Sequence, residues 1–223
     1  MYDALRMNGA EFIRRIRQLG RERGVLVRFE ARHGKGNHGC LHCGERFTTV
    51  KDRKKGDPPG IAARHVEPAW FDNSGYRVGG SAVRYEYSVH LERQADGSVL
   101  VMFPDVPEAV TDGADPDEAL REAQDALIAA LGGYINARRP IPGPSSMKGP
   151  RIHLPPLIAA KLALYQAMWE AGLTAVALAK RLCLSEGAVR RLLDLDHRSH
   201  IGQVEAALAA LGKRLSVEVY DAA

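Results

Sequence analysis

The chain has 223 residues, 45% apolar and 26% charged, a composition that excludes a mostly disordered or collagen-like polymer and leaves room for two compact units. No run approaches the roughly 18 consecutive apolar residues of a membrane span, and Asp3 and Arg6 sit where a secretory leader would be basic and then apolar; a cytoplasmic protein with no membrane partner is expected. Three cysteines cannot build the disulfide framework of a small secreted domain.

The net charge of +4 is unevenly spread: 14 Lys/Arg face 6 Asp/Glu in residues 1–56, 4 face 11 in residues 84–138, and 10 face 7 in residues 140–223. A basic stretch beside an acidic one suggests mutual attraction, and the basic one would otherwise attract polyanions. The alternative is a pair of solvated faces.

In chain order, Asn8 is a plausible helix cap, and Phe12, Ile13, Ile16 and Leu19 follow at helical spacing. The outer face of this helix holds Arg14, Arg15, Arg17, Arg21 and Arg23, and Gly24 ends it. Val25 to Ala31 alternates as a strand, and Arg32 to Gly39 is a glycine-spaced basic loop. Leu41 to Cys43 and Arg46 to Lys51 complete an α-β-β-β order, with Gly44 and Glu45 as the turn. In the loop, Gly34 and Gly36 let the backbone approach a phosphate, Lys35 supplies charge, and His38 can take a proton from a 2'-hydroxyl near neutral pH. Lys35 and backbone N–H groups would stabilise charge on the phosphorane. These are parts of a metal-independent RNA-cleavage site, although a lone histidine beside glycines is also a common turn residue. Cys40 and Cys43 point to opposite faces of a strand and no second Cys-x-x-Cys exists, so neither a metal nor another cofactor is expected.

Asn8-Gly9-x-Glu11-Phe12, Gly34-Lys35-Gly36-Asn37-His38-Gly39 and Thr48-Thr49-Val50-Lys51 resemble the HicA toxins, small ribonucleases with a double-stranded-RNA-binding-domain-like fold. The resemblance covers about residues 7–56. It implies that His38 is catalytic with Lys35 beside it, and that Gly34, Gly36, Asn37, Lys51, Arg53 and Lys54 meet mRNA. Where this chain has Gly36-Asn37-His38, family members more often have Gly-Ser-His. The family closes its sheet with a second amphipathic helix. Here residues 57–83, with Pro58-Pro59-Gly60 and Gly79-Gly80-Ser81, read as a degenerate end followed by a linker.

Tyr85 to Leu91 alternates as one strand, Ala95-Asp96-Gly97 makes a hairpin turn, and Ser98 to Phe103 is a second strand. Pro104 and Pro107 take the chain out of the sheet. Asp115, Pro116, Asp117 and Glu118 open a helix in which Leu120, Ala123, Leu127, Leu131 and Tyr134 form one stripe. Its outer acids, Glu122 and Asp125, could meet the basic N-terminal unit. Asp96, Asp105 and Asp112 are expected in turns rather than in a catalytic cluster. Phe103-Pro104-Asp105-x-Pro107-Glu108, Thr111-x-Gly113, Glu118-Ala119 and Pro140-Ile141-Pro142 resemble the HicB antitoxins, which implies a partial ribonuclease-H-like fold over residues 84–139. Residues 140–150 read as a linker.

From residue 151 on, Ile152 to Leu154 is a possible strand, and Pro155-Pro156 opens a helix with Ile158, Leu162, Tyr165 and Trp169 on one face. Ala175 to Leu182, a turn at Cys183-Leu184-Ser185, and Glu186 to Leu193 make two short helices in a helix-turn-helix arrangement. Cys183 stands where such turns commonly carry glycine. Ile201 to Leu211 is a further helix and Leu215 to Val219 a final strand able to pair across a dimer. Val189, Leu192 and Leu193 must face inward, leaving Ser185, Glu186, Arg190 and Arg191 for duplex DNA, as base readers or as phosphate grips. The bland reading is a helical bundle with basic solvent residues. Leu182 to Glu186, Arg190 to Asp194 and Ala207 to Leu215 are similar to the HicB subclass with a C-terminal helix-turn-helix, which implies operator binding and at least a homodimer.

The fold class expected is therefore α+β: an α-β-β-β unit over residues 1–56, a partial ribonuclease-H-like unit, and an all-α DNA-binding domain over residues 151–223. Three functions compete. The chain is a fused toxin–antitoxin protein whose endoribonuclease is neutralised in cis and whose C-terminus represses transcription, or a DNA-binding repressor with an inactive toxin remnant, or a non-catalytic RNA-binding adaptor. In the first, a linker of about 20 residues places the antitoxin unit at millimolar-order local concentration.

Overall fold

In this computed structural model the described residues are 9–31, 38–44, 46–51, 83–145 and 149–219. The fold mixes α and β structure, with six helices and eight strands among those residues. It forms two compact units: residues 1–130 with 142–153, and residues 131–141 with 154–223. No single helix among the described residues is long and apolar enough to cross a membrane.

The first unit opens with α1 (Gly9–Glu22), β1 (Val27–Ala31), β2 (His38–Cys43) and β3 (Arg46–Lys51). α1 ends as expected at Gly24, whose φ of 65° only glycine adopts freely. The strands form an antiparallel sheet in the order β1-β2-β3. Its two faces differ by the strict alternation of side chains along each strand. Leu41 and Val50 bury against Ile13 of α1, with Phe12, Ile16, Val27 and Phe29 around them. His38 and Cys40 lie on the opposite face. β2 begins three residues earlier than the sequence pattern predicts, because Gly39 pairs with Ala31 and His38 with Lys51. The histidine expected in a loop is thus a strand residue.

The acidic half contributes β4 (Glu86–Ser88), β5 (His90–Arg93), β6 (Val99–Met102), β7 (Val110–Gly113), α2 (Pro116–Asn136) and β8 (Arg151–His153). The single strand expected from Tyr85 to Leu91 is broken at Val89, whose N–H donates to the Pro150 carbonyl (3.0 Å). β4 pairs with β8, Tyr87 opposite Ile152, while β5 pairs with β6. β7 has no counterpart among the predicted strands. It pairs with β6, Val99 opposite Gly113, so Asp112 is a strand residue and not a turn residue. Asp105 does sit in a turn, and its carboxylate accepts from the Ser145 N–H (2.9 Å) and hydroxyl (3.0 Å). With the Tyr87 hydroxyl donating to the Pro142 carbonyl (2.9 Å), these bonds fasten a segment that composition marks as a linker.

α2 starts at the expected cap: Asp115 Oδ1 accepts from the Glu118 N–H (2.8 Å) and Glu118 Oε2 reaches back to the Ala114 N–H (2.7 Å). Gly113 makes this entry possible, since a Cβ there would collide with the Ala119 backbone. Ala119, Ala123, Ala126, Leu127 and Ala130 are fully buried, as are Val101 and Val106.

The second unit is helical: α3 (Pro156–Glu170), α4 (Ala175–Leu182), α5 (Glu186–Leu193) and α6 (Ile201–Ala210). Leu164, Leu178, Val189 and Val204, one from each helix, are fully buried in one cluster. α3 opens with Pro156 at its first position, as the Pro-Pro step predicts. Residues 213–219 form no strand in this chain, and Val217 and Val219 are exposed.

Candidate functional site

Two places hold the residues that the sequence singles out. The first is His38. Its side chain is fully buried, and it is enclosed by groups far along the chain. Asp125 Oδ2, on α2, accepts from the His38 backbone N–H (3.2 Å) and lies 2.9 Å from Nδ1. An ionised carboxylate only accepts, so Nδ1 is the donor of that contact. The Thr111 hydroxyl, on β7, lies 3.0 Å from Nε2. Glu122 Oε2, one helical turn before Asp125, is 4.0 Å from Nδ1. Both ring nitrogens are engaged.

The same seam continues along the sheet. The Cys40 thiol donates to the Ala129 carbonyl (3.1 Å) on α2. At the β3 edge, the Thr49 N–H and hydroxyl both donate to the Glu108 carbonyl, at 3.1 and 2.9 Å, and Thr49 Oγ1 accepts from the Val110 N–H (3.3 Å). These bonds set β3 alongside β7. The face of the β1-β2-β3 sheet that carries His38, Cys40 and Thr49 is therefore the face that α2 and β7 cover.

The second place is α4 and α5. Thr174 and Ser185 cap them, their hydroxyls accepting from Ala177 and Ala188 N–H (3.2 Å each). Cys183 takes the left-handed conformation, φ 55°, that the turn requires. Val189 and Leu192 are buried, while Arg190 and Arg191 are exposed. Arg190 is held along the helix by Glu186, whose Oε1 accepts from Nε (2.9 Å) and Nη2 (2.6 Å). Glu186 is thus a partner of Arg190 before it is a surface for anything else.

Behind α5 lies a residue the sequence reading passed over. Lys161 of α3 is completely buried, and its ammonium donates to the carbonyls of Asp194 (2.5 Å), His197 (2.6 Å) and Arg191 (3.3 Å). It satisfies the carbonyl end of α5, where a cation is also favoured by the helix dipole. Desolvation lowers its pKa from the ordinary 10.5, opposed by the nearby Asp194 and Asp196 carboxylates. Ser199 adds to this clamp, donating to the Arg191 carbonyl (3.2 Å) while lying 3.0 Å from His197 Nδ1. One signal was available: Lys161 falls on the stripe of Ile158, Leu162 and Tyr165, where an apolar residue is expected.

Lys35, Gly34, Gly36, Asn37, Arg53 and Lys54 lie outside the described residues, as do Asn8 and most of the expected 57–83 segment. Lys51 is the Cα partner of His38 across β2 and β3. Among the described residues no group of three or more His, Cys, Asp or Glu is placed to hold a metal ion. Thr111 carried no chemical signal in the sequence, being a short polar residue two positions before a glycine.

Comparison with known proteins places relatives on the acidic half and beyond. Residues 86–163 match the family described as the HicB-like antitoxin of bacterial toxin–antitoxin systems. Antitoxin HicB 2 of Photorhabdus laumondii is 39% identical over 131 residues, which cover 59% of this chain and 94% of that protein. Antitoxin HicB of Escherichia coli is 35% identical over 133 residues, 59% of this chain and 96% of its own length. Antitoxin HicB of Pseudomonas fluorescens is 36% identical over 141 residues, covering 62% and 96%.

Proposed function

The chain belongs to the HicB antitoxins of bacterial toxin–antitoxin systems, and from that premise we propose that it carries its own toxin: an N-terminal HicA-like RNA-cleaving unit held silent in cis by the antitoxin part of the same polypeptide. The observation that supports this reading is the state of His38. A general base must offer a lone pair within about 3 Å of the 2'-hydroxyl it deprotonates. Here the Thr111 hydroxyl occupies Nε2, Asp125 occupies Nδ1, and the ring is shut off from solvent. Asp125 and Glu122 present to it the negative charge that a scissile phosphate would bring. The acids at this seam come from the segment with 11 Asp/Glu against 4 Lys/Arg, and the histidine from the segment with 14 Lys/Arg against 6.

The second part of the proposal concerns the C-terminal helices. α5 presents Arg190 and Arg191 outward on a capped, clamped helix, the arrangement by which a helix-turn-helix enters a major groove. The chain then binds operator DNA as a homodimer and represses transcription, the two-fold symmetry of such operators requiring two copies of α5. In the toxin unit His38 acts as the base, with Lys35 stabilising charge on the phosphorane and Gly34, Gly36, Asn37, Lys51, Arg53 and Lys54 along the RNA. No metal or other cofactor takes part in this scheme.

The test is RNA cleavage by residues 1–83, with and without His38→Ala, and with residues 84–223 added in trans. Cleavage that disappears with His38→Ala and is suppressed by the added fragment supports a working toxin. Absence of cleavage from a fragment shown to be folded by circular dichroism overturns it and leaves an antitoxin joined to an inactive remnant.

A further inference from the structure

The seam at His38 closes one face of the β1-β2-β3 sheet and leaves the other side of that layer untouched. α1 packs on the opposite face through Ile13, Leu41 and Val50, so its outward surface is turned away from α2 and β7. On that surface Arg14, Arg17 and Arg21 are exposed, spaced by three and four residues, and border one shallow depression together with Ala10 and Ile13. Residues three and four apart share one side of a helix. None of the three forms an ion pair among the described residues; Glu22, the acid nearest Arg21 in sequence, accepts instead from Gln18 (3.1 Å).

From Arg14 to Arg21 the helix rises about 10 Å at 1.5 Å per residue. A row of that length can meet a few successive phosphates of one strand. Guanidinium forks pair with phosphate oxygens in a planar, bidentate manner, which makes a row of arginines, rather than of lysines, a phosphate-backbone reader.

We propose that this arginine row is a single-stranded RNA docking surface that stays open in the intact protein, so that the full chain binds RNA without cleaving it. The choice of RNA over other polyanions rests on the toxin reading of this unit. The geometry of the row does not depend on whether His38 is active. Such a surface keeps the silent nuclease loaded on its substrate class, with release of the His38 seam as the only remaining step.

The experiment uses the full-length chain and a fluorescein-labelled oligouridylate, followed by anisotropy over a salt series. The intact protein is expected to bind and to leave the oligonucleotide uncut. Arg14→Ala/Arg17→Ala/Arg21→Ala should weaken binding roughly tenfold or more at low salt and flatten the plot of log affinity against log salt by about 2, three phosphates at about 0.7 each. The triple Arg→Lys variant keeps the charge and should restore most of the slope. All three side chains are exposed on a helix that alanine favours, so folding is preserved and is checked by circular dichroism. Unchanged affinity and slope in the triple alanine variant would overturn the proposal. So would binding that vanishes instead with Arg190→Ala/Arg191→Ala, which places the polyanion on the C-terminal helices. Binding is read on the intact chain and cleavage on the isolated fragment, so the docking surface and the toxin reading fail separately.

Discussion

His38 and Arg191 are both residues on which a polynucleotide could act, and the fold treats them in opposite ways. The histidine is sealed, with its backbone N–H, Nδ1 and Nε2 all bonded to groups more than 70 positions away in sequence. Arg191 is exposed at the end of a helix whose carbonyls are held from behind by a buried ammonium. The proposed function needs this division: the chemistry to be suppressed must be hidden, and the surface offered to DNA must be fixed but open. The helix carrying Asp125 and Glu122 lies over the histidine. Its inward residues are mostly alanines, fully buried, which lets it lie close against neighbouring strands.

The largest expected effect comes from disturbing what fixes the open surface. Lys161→Met keeps length and apolar character but strands the carbonyls of Arg191, Asp194 and His197, and is expected to cost about 2–4 kcal/mol of stability in the helical unit. Urea denaturation followed by circular dichroism measures it. A smaller effect is expected from Arg190→Ala/Arg191→Ala. Operator affinity should fall by about ten- to a hundredfold, and if both contact phosphates the salt slope should drop by about 2. Fold should be unchanged, because the Glu186–Arg190 pair is exposed and contributes little. Ser185→Ala removes the cap of α5 and should cost about 1 kcal/mol, read from the thermal midpoint.

The smallest expected effect concerns pH. Because burial lowers the Lys161 pKa below 10.5, the folded helical unit binds fewer protons than the unfolded chain between the lowered value and 10.5. Its stability therefore carries a desolvation penalty that is full below the lowered pKa and is relieved as pH rises through it. Asp194 and Asp196 are the carboxylates beside it. Relative to Lys161→Met, the unmodified protein should gain in urea midpoint from neutral pH to about pH 10; a parallel pair of curves would contradict this.

The helical unit was legible because its signals are local. Pro156 opens α3 at its first position, and Cys183 stands at the one position of the turn that must be left-handed. What the sequence hid was non-local. Whether β2 starts at His38 or Leu41 depends on Ala31 and Lys51 as cross-strand partners, and the intervening glycines read as loop. β7 is four residues ending in Asp112 and Gly113, too short and polar to alternate visibly, yet it supplies the Thr111 hydroxyl. The outward acids of α2 were legible as a face seeking basic charge, and two of them, Glu122 and Asp125, lie against His38. Lys161 was concealed by its own stripe, since one lysine among Ile158, Leu162 and Tyr165 is ordinarily a flank and not a core.

The account turns on the claim that the carboxylate of Asp125 and its neighbours keep a competent His38 silent. The most direct measurement is RNA cleavage by the full-length chain carrying Asp125→Ala/Thr111→Val, beside the unmodified protein and the same variant with His38→Ala. The account predicts no cleavage from the unmodified chain, cleavage from the double variant, and none once His38 is also replaced. A double variant that is folded, binds RNA and cuts nothing would contradict it.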